Sequence, residues 1–130
     1  MKKYLLLLCL PMLVLATGCK KNITEVIIPN KTVTVTVAAE NWGSINQKNW
    51  IADKSIPELT DKYITKGATL VYRVLNAQNN EQWPVTYEGL AYSYSTRAGK
   101  IIFNVNHADG QTIIARPAAM TFKVVLFEAE

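Results

Sequence analysis

Cysteine is scarce in this chain: two residues in 130, Cys9 and Cys19. An exported protein with two cysteines invites a disulfide, but Cys9 lies in a dense apolar block at the amino terminus, and Cys19 has no other partner. The domain beyond it is therefore expected to hold together through its core alone. Histidine occurs once, at His107. Zinc sites draw several ligands from His and Cys, so His107 with Asp109 makes no metal site and reads as an exposed turn. No Asp-rich loop offers the clustered oxygens that calcium requires, and no glycine-rich phosphate loop is present. Basic residues are scattered, without the stripe that nucleic acid demands. The formal charge of +4 falls to about +2 if Lys2 and Lys3 are removed. These absences leave no metal, cofactor or nucleic acid implied.

What is present begins at the amino terminus. Met1-Lys2-Lys3 is a short positive segment, Tyr4 to Leu15 is apolar, and Ala16-Thr17-Gly18-Cys19 is a run of small residues. Charge, apolar stretch and small-residue exit are the three parts of a secretory signal. The alternative is a retained spanning helix, which needs ~20 apolar residues. This block is shorter and ends abruptly at Lys20-Lys21. Leu15-Ala16-Thr17-Gly18-Cys19 resembles the bacterial lipobox, with Ala16 where leucine is commonest. The resemblance implies cleavage between Gly18 and Cys19, a diacylglycerol on the Cys19 thiol and usually an acyl chain (palmitate is typical) on the new amino terminus. Two or three chains anchor stably where one is marginal, at ~0.8 kcal/mol per buried methylene. The residues after Cys19 are Lys20-Lys21-Asn22, not the acidic tag that some bacteria use for surface export. The expectation is a cell-envelope lipoprotein of the outer membrane facing the periplasm. The chain thus divides into a signal peptide over 1–18, lipidated Cys19 with a tether over 19–30, and a domain over 31–130. The Asn-x-Thr triplets at Asn22 and Asn30 match the N-glycosylation acceptor pattern and read as chance in such a protein.

The domain reads as all-β. Lys31 to Val37 alternates strictly, with Val33, Val35 and Val37 on one face and threonines on the other, which is a strand with one buried side. Turn residues fill 38–55, with a short strand around Trp50 and Ile51. Thr60 to Gly67 is the one helical signal, with Thr60 as cap, Asp61 in the first turn and Gly67 as a left-handed exit. Ala68 to Leu75 is a strand, and Trp83 to Tyr87 is a short one confined to an edge by Pro84. Ala91–Ser95 and Lys100–Asn106 form a hairpin around Gly99. Thr112 to Ala115 is a candidate short strand, and Met120 to Phe127 closes the domain with Met120, Phe122, Val124 and Leu126 inward. Roughly seven short, mostly antiparallel strands with turns between them, plus one short helix near residues 60–66, predict a single β-sandwich.

Several patterns carry a resemblance: Ile56-Pro57-Glu58-Leu59-Thr60, Gly67-Ala68 leading into Leu70-Val71-Tyr72, Trp83-Pro84, Tyr92-Ser93-Tyr94 before a glycine turn, and Phe122-Lys123-Val124-Val125-Leu126. On these, Trp42 to Phe127 resembles small envelope lipoproteins and carboxy-terminal modules of Bacteroidetes bacteria that have no assigned activity. The resemblance implies fold and location and adds no chemistry.

Catalytic constellations are weak. Ser93 or Ser95 with His107 and Asp109 supplies the residue types of a triad without a nucleophile-elbow sequence. Glu58, Glu81 and Glu88 are midchain carboxylates with nothing to fix a separation. Aromatic residues remain. Trp42, Trp50 and Trp83 are the candidates for ligand binding, with Trp42, between Asn41 and Gly43, the one most expected to be exposed. Core packing is the plainer reading for Trp50, Trp83 and Tyr72. The leading expectation is a noncatalytic, lipid-anchored binding or structural module of the cell envelope, with no enzyme activity. The alternatives are carbohydrate binding through exposed rings around Trp42, and an accessory subunit that lends an edge strand to an envelope complex.

Overall fold

The computed structural model describes residues 30–129. The signal segment, Cys19 and the tether up to Pro29 lie outside the described residues. Eight strands form two four-stranded antiparallel sheets. They are β1 (Lys31–Val37), β2 (Asn49–Ser55), β3 (Ala68–Val74), β4 (Asn80–Trp83), β5 (Val85–Tyr87), β6 (Leu90–Arg97), β7 (Lys100–His107) and β8 (Met120–Phe127), with one short helix, α1 (Asp61–Thr65). The first sheet runs β1-β8-β3-β4 and the second β2-β7-β6-β5. The all-β sandwich expected from the alternation is the fold found.

The expected single strand at Trp83–Tyr87 is two. Pro84 has no N–H to donate, and the chain crosses between sheets there: Trp83 pairs with Val71 in the first sheet and Val85 with Tyr92 in the second. The Trp83–Pro84 bond is cis. Inward residues of both sheets meet in one core. Phe103 of β7 stacks on Phe122 of β8, ring centroids 4.0 Å apart, and Trp83 meets both edge-on at 6.1 and 4.8 Å. Of the β8 residues, Met120, Phe122, Val124 and Leu126 are buried, as their alternation predicts.

Strand direction gives the sandwich two distinct ends. Lys31 at the start of β1 lies opposite Leu126 near the end of β8, so both ends of the domain share one end, here the near end. The β6–β7 turn and α1 close that end. Ile56 and Leu59 are fully buried there, and Gly99 at the turn tip exchanges backbone hydrogen bonds with them: Gly99 N donates to Leu59 O at 2.7 Å and Ile56 N to Gly99 O at 2.8 Å. Of the two apolar residues of α1, Tyr63 is buried and Ile64 stays exposed.

Two local expectations are corrected. Thr60 precedes α1 but its side chain makes no capping bond. Gly67 does not use a left-handed exit. It is required because a Cβ there would sit 2.2 Å from the Phe127 carbonyl oxygen.

Candidate functional site

The far end of the sandwich is built from four connections: 38–48 between β1 and β2, 75–79 between β3 and β4, the short β5–β6 turn at 88–89, and 108–119 between β7 and β8. A 3-10 turn at Ala39–Asn41 carries the chain from the first sheet to the second, and Gly43 then bridges Ile51 of β2, Gly43 N to Ile51 O at 2.9 Å. That path draws the intervening Trp42 inward. The indole expected to be exposed is only 1% exposed and belongs to the core. Its buried Nε1 meets no protein acceptor among the described residues. Trp50 and Trp83 are buried too, at 7% and 0%. None of the three presents a ring face to solvent, so the sugar platform anticipated around Trp42 is not formed. Tryptophans next to turn residues belong to the core because short strands leave much of it to be filled by loop side chains.

The 108–119 connection is pinned rather than paired. Thr112–Ala115 was expected as a strand, but its ordering bonds are isolated ones: Trp50 Nε1 donates to Ile114 O at 3.1 Å and Ile114 N to Gln47 O at 2.9 Å. Asp109 anchors the start. Its carboxylate accepts from Gln111 N at 2.8 Å, Thr112 N at 2.9 Å and Thr112 Oγ1 at 2.6 Å. These bonds, the Thr112 hydroxyl first, hold its pKa well below the usual carboxylate value. A depressed carboxylate gives order that is complete above the ordinary carboxylate range and lost as pH falls through the lowered value. Amide exchange at Gln111 and Thr112 should therefore stay slow at pH values where free aspartate is already protonated, and Asp109→Ala should make both amides exchange quickly even at neutral pH. Equal protection in that variant would refute the anchoring role.

His107 serves the same turn. Its Nδ1 lies 2.9 Å from Asp109 Oδ1, and its ring packs over Gly89, where a Cβ would stand 3.2 Å from Nε2. The register separates it from both serines. On β7, His107 faces Leu90, whereas Ser93 faces Asn104 and Ser95 faces Ile102, three and five residues further along. The fold brings His107 and Asp109 together but neither serine to them, so the triad is not assembled. Glu58 lies at the near end, while Glu81 starts from β4 at the far end and Glu88 from the β5–β6 turn. Among the described residues no three His, Cys, Asp or Glu side chains gather where a metal could sit.

The far end also holds a cleft between the sheets, of about 500 Å³. Leu90, Tyr92, Val105, Ile114 and Met120 form apolar walls, and Arg73, Glu88 and Arg116 bring charge. Arg73 projects from β3 on the same face as buried Val71. Its nearest carboxylate oxygen, Glu81 Oε1, is 3.9 Å from Nη1, and that oxygen already accepts from Trp83 Nε1 at 3.1 Å. Arg116 lies over the Trp50 ring, Cζ 5.2 Å from its centroid. Sequence reasoning did not select either arginine. The usable signal was Arg73 inside an alternating strand, on the face shared with Val71.

Exposed apolar side chains complete the picture. Six large ones stand out among the described residues: Ile45, Ile51, Ile64, Leu75, Tyr87 and Ile113. Ile45, Leu75 and Ile113 lie on three of the four far-end connections, Tyr87 ends β5 there, and Ile51 joins Ile45 through the Gly43 bridge. Only Ile64 is at the near end. No family model, curated protein or solved structure matches this chain.

Proposed function

We propose that the chain is a lipid-anchored, noncatalytic binding module of the cell envelope that presents its far end to a partner. One asymmetry carries this reading. The tether from Cys19 leads into Lys31 at the near end, while five of the six exposed large apolar side chains among the described residues lie towards the far end. Isolated exposed apolar residues are ordinary; it is their concentration at one end that supports an interaction surface there. Eleven residues separate Cys19 from Lys31, a span of at most ~40 Å when extended, which keeps the domain close to the membrane.

The test uses the full chain in its native envelope. Wild type should partition into the detergent phase and Cys19→Ser into the aqueous phase. A photo-cross-linking residue at Ile45 or Ile113 should yield a discrete adduct that the same residue at Ile64 does not. A soluble wild type removes the anchor; equal labelling at all three positions removes the polarity.

The reading as an accessory subunit has its own support. β1 pairs only with β8 among the described residues, so one edge of a seven-residue Thr-Val strand is left open. Such edges are templates for an added strand. Its charge is confined to Lys31, and it contains no proline.

A further inference from the structure

The cleft at the far end combines one under-used cation with an apolar lining, and from this pair we infer that it receives an aliphatic monocarboxylate. The inference rests on the proposed binding role of this end and names the ligand class. Arginine presents five N–H donors in a planar fork that matches a carboxylate. Among the described residues the Arg73 guanidinium makes no hydrogen bond. Glu81 stands beyond hydrogen-bond distance at 3.9 Å, and the contact with Tyr92, Cζ 5.9 Å from the ring centroid, takes up no donor. The Arg73 side chain is 29% exposed, and none of its nitrogens is among the buried unpaired polar atoms, so its donors face water that a ligand would replace.

The remaining lining selects the rest of the ligand. Leu90, Val105, Ile114 and Met120 offer hydrocarbon contact and no polar side chain. The volume of about 500 Å³ falls within the range of small-molecule sites. The charges bear on the ligand too: Arg73 and Arg116 are offset by Glu81, beside Arg73, and by Glu88 in the wall, so the cleft has no excess positive charge and a phosphate or dicarboxylate would meet opposing carboxylates. One carboxylate seated on the Arg73 fork leaves its chain lying among the four aliphatic side chains.

Equilibrium dialysis of radiolabelled octanoate against the full chain in nanodiscs of zwitterionic lipid tests this, with empty nanodiscs subtracted. Saturable binding at one equivalent is expected. Arg73→Gln should weaken it about tenfold or more, the loss of a charge-assisted bond, and Arg97→Gln at the near-end turn should leave it unchanged. Octan-1-ol, with the same chain and no charge, should bind about as weakly to wild type as octanoate binds to Arg73→Gln; this comparison needs no variant to fold. No saturable binding, equal binding of the alcohol, or an unaffected Arg73→Gln would overturn the inference. If octanoate fails while the far-end cross-links persist, the ligand class falls and the binding face stands.

Discussion

Gly67→Ala is expected to destabilise the domain by about 3 kcal/mol, or to prevent its folding. The new Cβ would lie 2.2 Å from the Phe127 carbonyl oxygen, 3.0 Å from Tyr63 Cα and 3.1 Å from Tyr63 O. All three are backbone atoms, so no side chain can turn aside. They belong to the middle of α1 and the end of β8, between which the chain passes as it enters β3. Relief would require α1 to lift from the sheet, and α1 has only five residues to hold it there. Gly43→Ala is the matched control. Its nearest obstacle is Ile51 O at 3.9 Å, an ordinary contact, and the change should stay within about 0.5 kcal/mol. Urea unfolding of the two variants settles the matter: a lower midpoint at constant slope for Gly67→Ala only. Equal midpoints would mean that the helix and strand ends are not held this closely.

Trp83→Ala should be costlier still, about 4 kcal/mol within the usual range for truncating a buried aromatic. The ring is fully buried and touches both sheets: Phe122 on its own sheet, and Phe103 and Tyr92 on the other, the last at 5.1 Å between centroids. Its Nε1 also holds Glu81. Domains of this size are stable by only about 5–15 kcal/mol, and no disulfide supports this one, so the variant sits near the edge of folding. Tyr87→Ala, which removes an exposed ring from the neighbouring strand, should change the unfolding midpoint little. A mild Trp83→Ala would show that the core repacks around the gap.

Much of this architecture was legible in the sequence. Alternation in β1, β6, β7 and β8 gave the strands and, for β1 and β8, the buried side, because one wet face forces period two. Pro84 pointed to an edge, and the edge is real on both sides of it. Alternation could not say that the edge changes sheets at that residue, since partner identity is not a local property. Trp42 misled for a related reason: Asn41 and Gly43 do form turns, but the turns steer the indole inward. Thr112–Ala115 has the composition of a strand and is held instead by Trp50 and Gln47, more than sixty residues earlier. The cleft was the least legible feature. Arg73, Glu88 with Leu90, and Ile114 come from three separate stretches of chain, and only the packed sheets bring them to one place.

The shared end of β1 and β8 also sets how the domain would bear load. A pull on the chain at Lys31 against a far end held fast runs along the length of β1. Seven antiparallel register positions, Lys31 opposite Leu126 through Val37 opposite Met120, then resist together in shear instead of parting one by one. Thr36 and Thr121, whose hydroxyls lie 3.1 Å apart, add a side-chain tie near the last of them. The strand nearest the tether is thereby the one placed to act as a mechanical clamp, and the domain should yield under tension in one abrupt step.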